Sequence, residues 1–90
     1  MSPEQRLLAR HTLGLDNPDA KGRSYRNRFY ASHSHPAWHD LHVMVAAGWM
    51  NLKDTRGSRE TLFWLNRSGA LLALDPGETL DPEDFPKVPA

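Results

Sequence analysis

The chain has no cysteine. That excludes a disulfide framework, thiolate zinc ligation and a thiol nucleophile. Small secreted domains are usually held together by disulfides, so a cytoplasmic setting is expected. Long hydrophobic runs are also missing. The longest nearly apolar stretch, Val43 to Met50, falls far short of the ~20 residues needed to span a bilayer, so no membrane partner is expected. No basic stretch precedes an apolar run near Met1, so no signal peptide is expected. Charge of one sign is not in excess: 11 Lys+Arg balance 11 Asp+Glu, which excludes a strongly basic, histone-like binder. A Gly-rich phosphate loop and a nucleophile elbow are both absent, leaving catalysis without support and no cofactor expected.

What is present suits one small α+β domain. The 39% apolar content can support a core in 90 residues. Residues 2–14 read as a helix, with Ser2 as cap, Pro3 at its first position, Gln5 completing a capping box and Gly14 as a left-handed stop. Leu7, Leu8, His11 and Leu15 recur at near-helical spacing. Asn17-Pro18-Asp19 reads as a turn. Residues 36–47 read as a second helix, capped by Ser34 or His35, started by Pro36 and ended by Gly48, with Ala37, Leu41, Met44 and Val45 on one face.

The period then changes from 3.6 to 2. Trp49–Lys53 and Thr61–Leu65 form a β-hairpin across the polar turn Asp54–Arg59, with Leu62 and Trp64 on one side and Phe63 and Leu65 on the other. Asn66 caps a short third helix from Arg67 to about Leu74, with Leu71, Leu72 and Leu74 as its apolar residues. Trp38, Trp49 and Trp64 gather around the helix–hairpin junction. The division is therefore residues 1–75 as the domain and 76–90 as an acidic, Pro-rich tail on which Leu80, Phe85 and Val88 can dock. Residues 1–67 carry ten Lys+Arg against six Asp+Glu, a net +4; residues 68–90 carry one Lys against five, a net −4. Such a tail can fold back on the basic body or bind a basic partner.

Two clusters are candidates for function. Lys21, Arg23, Arg26 and Arg28 form the only dense basic stretch, interleaved with Tyr25, Phe29 and Tyr30. Arginine forks with aromatic neighbours suit phosphate contact. In the bland reading Tyr25 and Phe29 turn inward, and the arginines pair with Asp16, Asp19 or the tail. The histidines His33, His35, His39 and His42 give H-x-H-x3-H-x2-H, and His35, His39 and His42 are candidate metal ligands on one helical face. Their competing reading is a set of surface histidines and a cap.

The run Leu41-His42-Val43-Met44-Val45-Ala46-Ala47-Gly48-Trp49-Met50 is followed by Asp54, Arg56 and Arg59 in a polar turn, and then by Leu65-Asn66-Arg67-Ser68-Gly69. Over residues 41–75 this resembles the recognition helix, wing and following helix of winged-helix proteins, including MarR-like regulators. The resemblance implies a nucleic-acid interface of helix 36–47 (with His39 and His42), the arginines Arg23, Arg26 and Arg28, and Arg56 and Arg59 at the wing. It also implies a possible homodimer, paired through an exposed Trp or the Leu-rich third helix. A second resemblance joins His11-Thr12-Leu13-Gly14-Leu15, Tyr25-Arg26-Asn27-Arg28-Phe29 and Val45-Ala46-Ala47-Gly48-Trp49-Met50. These are similar to a family of small phage and prophage proteins over most of residues 5–74. That likeness implies a phage-encoded, non-enzymatic accessory protein in the host cytoplasm, with no catalytic residues. The partner is then a nucleic acid or a host protein whose complex it inhibits or redirects.

Overall fold

The computed structural model describes residues 1–86. Helices α1 (Pro3–Leu13), α2 (Trp38–Ala46) and α3 (Arg67–Ala73) pack on a three-stranded sheet of β1 (Phe29–Ala31), β2 (Met50–Asp54) and β3 (Thr61–Leu65). A single 3-10 turn, Pro18–Ala20, follows α1. Both strand pairings of the sheet are antiparallel and the strand order is β1-β3-β2; an isolated parallel bridge joins Arg23 and Thr79. The helix–hairpin–helix succession read from the sequence is present. The turn expected at Asn17-Pro18-Asp19 is this 3-10 turn, and the third strand is an addition.

Local chemistry sets the ends of α1. The Ser2 hydroxyl accepts from the Gln5 N–H at 3.1 Å, and the Gln5 side-chain Oε1 accepts from the Ser2 N–H at 3.0 Å, so the capping box is complete. Gly14 stops the helix at φ 80°, and Leu15 N–H reaches back to Arg10 O at 2.9 Å. A Cβ at Gly14 would also collide with the Tyr25 ring, which lies across the backbone there.

The buried faces differ from the leucine-rich stripes expected. On α1 the buried residues are Ala9, Thr12 and Leu13, whereas Leu7 is 68% exposed and His11 is exposed. Leu15 lies beyond the helix and is buried. On α3 the buried residues are Gly69, Ala70 and Ala73, whereas Leu71 and Leu72 are exposed. The reason is distance. α1 and α3 pack against each other, and small side chains allow the close approach that leucines would block. At Gly69 an added Cβ would stand 2.3 Å from the Trp49 carbonyl oxygen.

Helix α2 begins at Trp38 instead of Pro36. No side chain caps its first residue directly, but His35 Nδ1 accepts from the Ala37 N–H at 3.0 Å. Ala37, Leu41 and Met44 are buried as expected, and Gly48 follows the helix at φ 82°. Asn66 caps α3 by accepting from the Gly69 N–H at 2.9 Å, and its Nδ2 donates to Gly48 O at 2.6 Å. One side chain thereby ties the end of α2 to the start of α3.

The core contains Phe63, Leu13, Leu41, Met44 and Leu65, each fully buried. Each such side chain stabilises the fold by roughly 1.5–3 kcal/mol relative to an exposed one. Residues 76–86 join this body. Gly22 O accepts from Thr79 N–H at 2.9 Å, Ser24 Oγ accepts from Asp81 N–H at 2.8 Å, Phe85 is buried and Leu80 packs on the core. Val88, the third docking candidate, lies outside the described residues. Among the described residues, no helix is long and apolar enough to cross a membrane.

Candidate nucleic-acid interface

A strand directs successive side chains to opposite faces of the sheet. In β3 the buried side chains are Thr61, Phe63 and Leu65, which face the helices. Leu62 and Trp64 therefore lie on the outer face, half-buried, and neither packs on the core. The register sets their neighbours. Tyr30 and Lys53 both pair with Leu62, and Asn51 pairs with Trp64. Tyr30 is 48% exposed, and Lys53 and Asn51 are exposed.

The ladder continues past the start of β1 through a side chain. Asn27 Oδ1 accepts from the Leu65 N–H at 2.8 Å, and its Nδ2 donates to Leu65 O at 2.9 Å. With residue 27 opposite residue 65, the alternation sets exposed Arg28 beside Trp64 on the outer face. Two rows result, Arg28–Trp64–Asn51 and Tyr30–Leu62–Lys53. Arg56 joins them at the hairpin, where it lines a shallow groove with Lys53, Asp54, Thr55 and Leu62.

Charge is sorted across the molecule. Asp75 lies 2.7 Å from Arg6, and Glu78 lies 2.5 Å from Arg10. Asp16 holds His11 at 2.6 Å and approaches Arg26 at 4.0 Å, and Asp81 approaches Arg23 at 3.9 Å. Asp75 and Glu78 thus sit against α1, whereas residues 79–81 run beside residues 22–24. Arg28, Lys53, Arg56 and Arg59 have no carboxylate within ion-pair distance among the described residues.

The residues singled out in the sequence therefore separate. Arg23 and Arg26 have acidic neighbours, and Arg26 also donates to His11 O through Nε and Nη2, at 3.1 and 2.7 Å. Arg28 and Arg56 stand at the outer face. Arg59 lines a different hollow with Ser32, His33, Ser34, Asp54 and Glu60. Tyr25 does not turn inward; it is 47% exposed, while Phe29 is half-buried against His11 and His35.

The histidines do not converge. His42 packs tilted against Trp38 and edge-on to Phe63, and its Nδ1–H donates to Trp38 O at 2.9 Å. His35 accepts from the Ala37 N–H, as above. His39 is exposed on α2. Among the described residues, no three His, Asp or Glu side chains stand close enough together to hold a metal ion. The spacing that suggested a shared site overlooked Trp38, whose ring and carbonyl hold His42 in the packed layer.

Helix α2 brings little to a phosphate backbone. Its exposed residues are His39, Val43 and Ala46, and residues 36–47 contain no Lys or Arg. Tyr30 belongs to the basic, aromatic stretch read from the sequence, whereas Lys53 and Trp64 are new to the candidate interface. The alternation across residues 28–31 would have set Tyr30 and Arg28 on one face, had that stretch been read as a strand. No family model, curated protein or solved structure matches the chain, so the interface is read from its own geometry.

Proposed function

We propose that the chain is a non-enzymatic DNA-binding module that meets DNA with its sheet and hairpin, through Arg28, Lys53, Arg56 and Arg59. The observation that carries this reading is the sorting of charge. Asp75 and Glu78 pair with Arg6 and Arg10, Asp81 approaches Arg23, and among the described residues no carboxylate stands within ion-pair distance of Arg28, Lys53, Arg56 or Arg59. A neutral chain thereby keeps a local cationic surface, which is enough for phosphate attraction.

The element order supports a winged-helix-like reading in which β2, β3 and their turn act as the wing. The likeness is incomplete. Only a turn separates Ala31 from Trp38, where a helix-turn-helix protein has the helix that positions its recognition helix. A groove-reading role for α2 is accordingly set aside in favour of the wing and sheet.

The test is fluorescence anisotropy with labelled DNA across a salt series. Affinity is expected to fall as salt rises. Replacing Lys53 and Arg56 with Gln is expected to weaken binding and to flatten the logarithmic salt slope by roughly 0.7–0.9 per lost phosphate contact. If no DNA, single- or double-stranded, binds at low salt, the reading is wrong and a protein partner becomes the better one.

A further inference from the structure

We infer that the outer face of the sheet is a stacking platform for single-stranded DNA, with Tyr30 and Trp64 as the two base-stacking rings and Arg28, Lys53 and Arg56 as the phosphate contacts. The inference rests on the proposed DNA-binding function and specifies the form of DNA and the side chains that hold it.

The rings have the right placement. Tyr30 lies opposite Leu62, and Trp64 is two residues further along the same strand. That diagonal separates their backbones by about 7–8 Å. Two rings at such a distance, on one face, can each take a base from neighbouring nucleotides. A base in a duplex is already stacked on both sides and cannot use them; an unpaired base can. Helices cover the inner face of the sheet, whereas Tyr30 and Trp64 lie outside the core, Tyr30 exposed and Trp64 half-buried.

The charges point to a polyanion. Arg28 stands at the β1 edge beside Trp64. Lys53 stands on β2 at the other edge of the Tyr30 row, and Arg56 continues that line around the hairpin. A flexible sugar–phosphate chain crossing the rings meets cations on both sides. By the same alternation Glu60 also lies on this face, opposite Thr55 and next to Ser32, and it marks the end of the platform. Asn51 is the amide neighbour of Trp64, and the two rows otherwise offer rings, an aliphatic side chain and cations. Binding by such a surface tolerates many sequences, because every base has a π-face.

The experiment is a titration of the full chain with a mixed-sequence 12-nucleotide single strand of DNA, the same sequence as a duplex, and the same sequence as single-stranded RNA. All are read by anisotropy and tryptophan fluorescence at low salt. The single DNA strand is expected to bind tightest and to quench fluorescence. Tyr30→Ala is expected to weaken its binding about 5- to 100-fold. Trp64→Phe is expected to lose most of the quench and to keep part of the affinity. Val43→Ala, on the exposed face of α2, is expected to leave binding unchanged. Circular dichroism melts confirm that each variant is folded, and Tyr30, being exposed, keeps the test decisive if the Trp64 variant is not. Duplex binding at least as tight as single-strand binding, with Tyr30→Ala silent, would overturn the platform and leave the DNA-binding function standing. Tenfold tighter binding of RNA would overturn the choice of DNA. No binding by any of the three would overturn platform and function together.

Discussion

Arg10 grips Glu78 through two parallel hydrogen bonds, Nη1 to Oε1 at 2.5 Å and Nη2 to Oε2 at 2.9 Å. The same guanidinium donates to Ala73 O at 2.9 Å, at the end of α3. One side chain of α1 therefore fixes both the third helix and the segment that follows it. Bidentate geometry of this kind is stronger than an ordinary surface pair.

The pair gives the fold a dependence on acid. Glu78 is held at about 2, below its ordinary 4.5, first by the Arg10 hydrogen bonds and then by the Asp75 N–H. The folded state thus favours the ionised carboxylate more than the unfolded chain does. The resulting stabilisation is complete above pH ~4.5, declines as pH falls below that value, and is gone near pH 2. Water reaches the rim of the pair and screens it, so we expect about 1–2 kcal/mol at neutral pH. Urea unfolding at pH 7, 4 and 2 checks this. Glu78→Gln should be less stable than the parent by that amount at pH 7 and equal to it near pH 2. A constant difference at all three values would show that packing, not charge, is what the substitution removes.

Gly69 allows α3 to approach the start of the hairpin. The Trp49 carbonyl already accepts from Asn66 N–H at 3.1 Å, and a Cβ at Gly69 would fall 2.3 Å from the same oxygen. That neighbour is backbone and cannot swing away. Alanine gains up to ~1 kcal/mol of helix propensity over glycine. Overpacking costs about 1–3 kcal/mol, and a contact this short belongs at the upper end. Gly69→Ala is therefore expected to lower stability by about 2 kcal/mol in chemical denaturation. Gly48→Ala, at φ 82° with open space around it, is expected to lose only about 1 kcal/mol. Equal losses would mean that the close approach carries no weight.

These contacts mark how far the sequence could be read. The Ser2–Gln5 capping box, the Gly14 stop and the Asn66 cap are local chemistry, and each lies where a few neighbouring residues place it. The hairpin was legible because its period is 2 and Phe63 and Leu65 share one side. The helix faces were not. A hydrophobic stripe ranks leucine above alanine, yet the α1–α3 contact selects Ala9, Ala70 and Ala73 for their size and leaves Leu7, Leu71 and Leu72 outside. That selection depends on a partner helix about 60 residues away in sequence, so no short window contains it. The interface was half legible for a related reason. Arg28 and Tyr30 stand in the basic, aromatic stretch and Arg56 in the wing of the winged-helix resemblance, whereas Lys53 and Trp64 join them only once the register sets the rows.

Strand β1 stayed hidden because it is three residues long and its ladder is extended by a side chain. The amide of Asn27 does what a backbone unit would do, accepting from Leu65 N–H and donating to Leu65 O. This anchors the Arg28 end of the proposed platform, so its loss should be felt in stability and in the local ladder. Asn27→Ala leaves both Leu65 groups without their partner and is expected to cost about 2 kcal/mol. Asn27→Asp keeps an acceptor for the Leu65 N–H but sets a charged oxygen against the Leu65 carbonyl, so it is expected to destabilise at least as much. Amide hydrogen exchange followed by NMR distinguishes the local effect from the global one. The Leu65 amide should lose more protection in Asn27→Ala than the amides of Leu41 and Met44 in α2. If Leu65 and the α2 amides lose protection equally, Asn27 acts on the whole fold and the strand needs no side-chain extension.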